Sequence, residues 1–143
     1  MKIIIEPPLP GEEEQITIKC HNIPSELLRL LNVLKTQHLI GYLGSEIYRI
    51  VPKDIFYIET VDNKTFLYCE KAVYESRQKL YELEEILTSS DFLRISKSII
   101  VNLSKIKSLS PALSGRLEAV LQNGEIVIIS RQYVGELKKC FGL

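Results

Sequence analysis

Arg116-Leu117-Glu118-Ala119-Val120-Leu121-Gln122-Asn123-Gly124-Glu125-Ile126-Val127-Ile128-Ile129-Ser130 reads as two short β-prone runs, Arg116 to Leu121 and Glu125 to Ser130, around Asn123-Gly124. Asn and Gly both tolerate the positive φ that a tight hairpin turn demands, so this is the strongest local hairpin signal in the chain. The same arrangement recurs upstream. Leu39 to Leu43 and Glu46 to Val51 flank Gly44-Ser45, and Asp54 to Val61 and Thr65 to Glu70 flank Asp62-Asn63-Lys64. Asp and Asn bond their own backbone and accept turn conformations, which makes the second pair a hairpin as well. Phe92 to Leu103 and Ile106 to Leu109 read as further strands. No parallel βαβ alternation appears, and the predicted class is a β-rich, antiparallel α+β fold.

Helical spacing interrupts the strands in three places. Leu80, Leu83 and Leu87 face one way while Glu82, Glu84 and Glu85 face water, with Ser76 expected to cap this segment and Thr88-Ser89-Ser90-Asp91 to end it. Tyr133, Val134, Leu137 and Phe141 share a side of a final helix that Ser130 is placed to cap and Gly142 to close. Ahead of the hairpins, Pro24 and Glu26 open a helix on which Leu27, Leu30, Leu31 and Leu34 recur, with Leu28 and Val33 widening the stripe. Before it, Lys2 to Ile5 and Gln15 to Cys20 read as short strands joined by the turn-rich, acidic Pro7 to Glu14. Residues 1–38 are therefore expected to be a strand and helix extension, and residues 39–143 the main module.

With 143 residues, 45% of them hydrophobic, the chain suits one ordinary domain plus a small appendage. A chain of this size buries roughly two-thirds of its unfolded surface and needs no disulfide or metal for its core. Cys20, Cys69 and Cys140 are odd in number and widely spaced, which points to a reducing, cytoplasmic setting. The apolar start Ile3-Ile4-Ile5 stops at Glu6-Pro7-Pro8, too early for a signal-peptide core. Net charge is zero, but it is unevenly spread. From Gly41 to Asp91 six basic residues face ten acidic ones, whereas from Phe92 to Leu143 eight basic residues face three acidic ones, about +5. Such a distribution suits a polyanionic partner.

Catalysis has little to stand on. The chain holds two histidines, His21 and His38, and no HExxH, CxxC, GxSxG or Gly-rich phosphate loop. Neither metal nor cofactor is expected, and Cys69 reads as a small buried hydrophobe. The polar residues of Phe92 to Leu103 say more. Arg94 and Lys97 can neutralise phosphates and Ser96 and Ser98 can bond phosphate oxygens, as Lys105 and Lys107 can further along. Arg131 and Gln132 carry the two side chains suited to guanine and adenine edges in a major groove. The same residues also serve simply to cap and solvate a helix start.

Asp54-Ile55-Phe56-Tyr57-Ile58-Glu59, the later run from Phe92 to Ile106, and Leu121 to Tyr133 together resemble the LytTR DNA-binding domain, in order and spacing, from about Leu39 to Leu143. The resemblance implies an elongated antiparallel sandwich of about ten strands with short helices, and a bacterial transcription regulator that enters successive major grooves with loops. It places DNA contacts at Asn63, Lys64 and Thr65, at Ser96-Lys97-Ser98, and at Arg131. The family often has His where this chain has Ser96. Many relatives carry a receiver domain ahead of this module; 38 residues are too few for one, so the chain is expected to resemble stand-alone members, which are often encoded beside a small regulatory membrane protein. The wide leucine stripe of the leader points to a homodimer contact. The competing expectation is an interaction adaptor that docks an acidic or membrane-protein partner without specific DNA binding.

Overall fold

Local hairpins and a few long-range ladders build the molecule. The computed structural model describes residues 2–34, 38–88 and 91–143, the side chains of 32–34 excepted. Its strands are β1 (Leu39–Leu43), β2 (Glu46–Ile50), β3 (Ile55–Val61), β4 (Lys64–Cys69), β5 (Val73–Ser76), β6 (Phe92–Arg94), β7 (Ile99–Asn102), β8 (Ile106–Pro111), β9 (Leu117–Leu121) and β10 (Ile126–Ile129). Three α-helices accompany them, α1 (Ser25–Leu34), α2 (Leu80–Ile86) and α3 (Arg131–Cys140). β1 to β7 form one antiparallel sheet in the order β2-β1-β5-β4-β3-β7-β6, and β8 to β10 a second in the order β10-β9-β8. The chain divides into two compact units, Met1–Leu34 and Lys35–Leu143.

The centre of the larger sheet is buried on both faces, and the alternation of its central strands shows how. Ile100 of β7 packs with Ile58, Leu67, Leu80 and Leu83 of α2 and Leu87 just after it, whereas the adjacent Val101 packs with Ala119, Leu121, Val127, Ile129 and Leu137. Successive side chains on a strand point to opposite faces, so α2 covers one side and the second sheet with α3 covers the other. A β-bulge at Phe56 shifts the register of β3 between Ile55 and Tyr57, which lets Ile55 serve the first core and Phe56 and Tyr57 the second. Asn102, only 2% exposed, ties the end of β7 to β3. Its Nδ2 donates to the Ile55 carbonyl at 2.9 Å, and its Oδ1 accepts from the Ser104 amide and hydroxyl at 3.1 and 2.7 Å.

The three expected hairpins form. In the β3–β4 turn Asp62 and Asn63 both take positive φ, 50° and 62°, the pair of left-handed residues that matches strand twist. Gly124 supplies φ 87° in the β9–β10 turn, and Asn123 Oδ1 accepts from the Glu125 amide at 3.0 Å.

Other expectations are corrected. Phe92 to Leu103 is two strands, not one, reversing at Ser96-Lys97-Ser98. Ser76 does not cap α2; it ends β5, a strand that folds back on β4 just before it and pairs on its other edge with the distant β1, and Lys79 stands at the helix start. Lys2 to Ile5 and Gln15 to Cys20 form no strand and are exposed. Their alternating residues find no ladder partner, and an unpaired extended segment has no sheet to join. α1 begins after Pro24, whose carbonyl accepts from the Leu27 and Leu28 amides; Leu27 is buried while Leu28 and Leu30 are exposed. The side chains of Val33 and Leu34, and Ser89-Ser90 after α2, lie outside the described residues. Among the described residues no helix is long and apolar enough to cross a membrane.

Candidate nucleic-acid interface

Two backbone hydrogen bonds gather the candidate segments at one end of the second unit. β3 and β7 pair through Glu59 and Ile99, and just beyond that pair the Thr60 amide donates to the Ser98 carbonyl at 2.9 Å. The turn at Asp62-Asn63 therefore projects beside Ser96-Lys97-Ser98. On the other side the Ser130 amide donates to the Ile95 carbonyl at 2.8 Å, which brings the start of α3 against the same segment. Ser96, Lys97, Ser98, Ser130, Arg131 and Gln132 line one shallow groove.

The Ser96-Lys97-Ser98 turn closes without the Gly or Asn that usually marks one. Ile95 is fully buried and its amide donates to the Ile99 carbonyl at 3.0 Å, which fixes both ends. Ser96 Oγ accepts from the Ser98 amide at 3.2 Å, a side-chain turn of the kind Ser favours. Arg94 completes the closure. Its Nε donates to the Ser96 carbonyl at 2.7 Å, its Nη2 to the Lys97 carbonyl, and its Nη1 to Glu84 Oε2 at 2.7 Å. Lys97 is left exposed, with Ser96 and Ser98 half-buried at its sides.

Arg131 is the first residue of α3 and is exposed, as is Gln132. Ser130 occupies the cap position with extended backbone, but its side chain makes no capping hydrogen bond. The stem of Arg131 rests on Gly115, in the short 3-10 turn Leu113–Gly115 between β8 and β9. A Cβ at Gly115 would stand 3.0 Å from Arg131 Cδ, and Gly115 itself takes φ 73°, so both contact and backbone favour glycine there. The Ser114-Gly115 pair is a visible turn signal in the sequence. Nothing local announces that the turn supports Arg131, because β8–β9 and β9–β10 pairing brings them together.

The remaining candidates divide. Asn63 and Lys64 are exposed at the projecting turn, but Thr65 is only 5% exposed, its Oγ1 lying 3.3 Å from Thr60 Oγ1 across the ladder. The structure thus takes Thr65 off the surface. Lys105 and Lys107 stand at the other end of β7, where the Gln122 amide donates to the Lys105 carbonyl beside the Asn123-Gly124 turn. The Lys105 ammonium lies over the Phe56 ring, 5.0 Å from its centroid. These two lysines are not part of the groove.

Titratable chemistry is sparse. Burial, with the Asp54 carboxylate adding to it, pushes the Cys69 thiol up to about 11, which keeps it protonated and unreactive. Among the described residues no group of three His, Cys, Asp or Glu side chains is placed to hold a metal. What the groove presents is two cations, hydroxyls and an amide. Those groups bond phosphate oxygens and base edges.

An antiparallel β module with cations, hydroxyls and amides clustered on turns at one end defines the class of fold. Residues 45–142 match the LytTr DNA-binding domain, and the chain belongs to that family. The sensory transduction protein LytT of Enterococcus faecalis is 31% identical over 97 residues, 68% of this chain and 40% of that protein. LytT of Bacillus subtilis is 31% identical over 104 residues, 72% of this chain and 43% of its own length. The chain thus spans about 40% of the length of these LytT relatives. An uncharacterized HTH-type transcriptional regulator of Staphylococcus aureus is 28% identical over 118 residues, 82% of this chain and 80% of that one. The solved structure titled LytTr DNA-binding domain of putative methyl-accepting/DNA response regulator from Bacillus cereus superposes with a TM-score of 0.71 at 26% identity, over 76% of this chain and 99% of that chain.

Proposed function

We propose that this chain is a transcription regulator that binds double-stranded DNA through turns rather than a recognition helix. The observation that carries the reading is the convergence of the Asn63-Lys64 turn, the Ser96-Lys97-Ser98 turn and Arg131 at one end of the β module. Lys64 and Lys97 neutralise phosphates, Ser96 and Ser98 bond phosphate oxygens, and Arg131 with Gln132 reads base edges. Family membership and the named regulators among its relatives support the same reading.

We further infer that residues 1–38 act as an extension to the DNA-binding module of residues 39–143, and that the chain works as a homodimer on paired promoter repeats. Paired sites match a two-fold dimer geometrically. Selection of duplexes from a random pool, followed by gel retardation of an enriched duplex over a range of salt, tests the reading. Enrichment of a repeated motif, with log affinity falling linearly against log salt, is the expected result. Failure to enrich any duplex would reject it and favour an adaptor.

A further inference from the structure

We propose that Arg94 is a positioning residue, which braces the Ser96-Lys97-Ser98 turn against α2 through Glu84 and does not itself touch DNA. The inference rests on the DNA-binding role proposed above and assigns a part within it to a residue whose charge alone suggests a phosphate ligand. Three sides of its guanidinium are already engaged: Nε at the Ser96 carbonyl, Nη2 at the Lys97 carbonyl and Nη1 at Glu84. Both carbonyls belong to the turn, one to the Ser96–Lys97 peptide and the other to the Lys97–Ser98 peptide that follows it. A planar fork with fixed donors is the side chain suited to hold two backbone oxygens and a carboxylate at once.

The brace answers a local problem. A turn of Ser-Lys-Ser has no glycine or asparagine to set its conformation, and Lys97 is exposed at its tip. An unsupported turn would lose backbone freedom when it met a phosphate, at a cost to affinity. Arg94 orders the turn beforehand. Glu84 in turn neutralises Arg94 and connects it to a helix whose Leu80 and Leu83 are buried in the first core. The turn is thereby coupled to the rigid part of the molecule.

Charge signs separate this role from direct contact. Removing a carboxylate near a DNA-binding turn strengthens attraction to a polyanion if only electrostatics acts. The brace predicts the reverse for Glu84→Ala, a loss of about threefold in affinity, in line with a partly exposed ion pair. Arg94→Ala is expected to cost on the order of tenfold, since hydrogen bonds from a charged donor to two carbonyls are lost. Arg94→Lys keeps the charge but cannot hold both carbonyls and Glu84, so it should bind nearly as weakly as Arg94→Ala. None of the three should change the slope of log affinity against log salt.

The experiment uses the full chain, a single duplex enriched from a random pool by the wild type, and the backbone amides of Ser96, Lys97 and Ser98 observed by NMR in free protein. Lowered order at those three amides in each variant, with Asn63 unchanged, supports the brace. So does weaker binding by Glu84→Ala at constant salt slope. Tighter binding by Glu84→Ala, near-normal binding by Arg94→Lys, a slope reduced by about 0.9 in Arg94→Ala, or unaltered amide order would each overturn it. If the wild type enriches no duplex, the DNA-binding role fails, and the amide measurement still decides the brace.

Discussion

Arg131 and Thr65 mark the limits of reading single residues from sequence. Arg131 follows a strand and starts a helix, and both neighbours are local, so its exposure on a groove was legible. Thr65 was not, because its burial depends on Thr60 across the ladder and on the register that pairs them. Arg131→Ala should remove a bidentate base contact and weaken an enriched duplex by roughly 1 to 3 kcal/mol, with little change on random DNA. Parallel titrations of the two duplexes check this, and equal losses on both would refute base readout. Cys69 gives a second test at this scale. Its thiol pKa is raised to about 11, by burial first and Asp54 second, so the neutral form persists through ordinary pH. Cys20 and Cys140 are exposed. Thiol labelling at mildly alkaline pH should therefore show two fast sites and one slow one, and Cys69 should quicken only as pH climbs toward its folded pKa. Because that folded value lies above the ordinary thiol value, protonation of Cys69 favours the folded state at lower pH, and this contribution fades as pH rises between the two.

Elements were legible where their signals are local. The turns at Gly44-Ser45, Asp62-Asn63 and Asn123-Gly124 carry residues that tolerate left-handed backbone, and each turn formed. The reversal at Ser96-Lys97-Ser98 has no such residue and is closed by side chains, chiefly Arg94 and Ser96, so it reads as an uninterrupted strand. β5 was hidden for a different reason. Its short, half-polar run Val73–Ser76 follows β4 across a turn, Glu70-Lys71-Ala72, that holds no Gly, Pro, Asn or Asp, and its other edge pairs with the distant β1, which has no local signature. That the groove turn is held by backbone carbonyls while the Lys97 side chain stays exposed sets up a clean substitution. Lys97→Glu should leave circular dichroism unchanged and lower affinity for any duplex by at least about tenfold, since a phosphate-neutralising cation becomes a repelling anion. Normal affinity in a folded variant would place the turn away from the DNA.

At the scale of the whole molecule, both cores are assembled from the second unit. The first runs from Leu39 to Ile100 in sequence and the second from Phe56 to Leu137, and among the described residues neither includes one before Leu39. Removal of residues 1–38 deletes none of the described side chains of either core, and the cost of folding without them should be small. The leader does hold apolar surface out of proportion to its size, with Ile3, Ile4, Ile5, Leu9, Ile16, Leu28 and Leu30 all exposed. The homodimer proposed above would cover this apolar surface and place two turn clusters on one duplex. The shortened chain of residues 39–143 is expected to fold, to sediment as a monomer, and to bind a single repeat with the intrinsic strength of one module. Its affinity for a duplex bearing two repeats should fall by a factor set by the lost effective concentration, on the order of a hundredfold where the repeats are well spaced. Analytical ultracentrifugation and binding to one-repeat and two-repeat duplexes measure both effects. A full-length chain that sediments as a monomer well above the concentration that saturates the two-repeat duplex would exclude the dimer, since avidity then has no second copy to supply it.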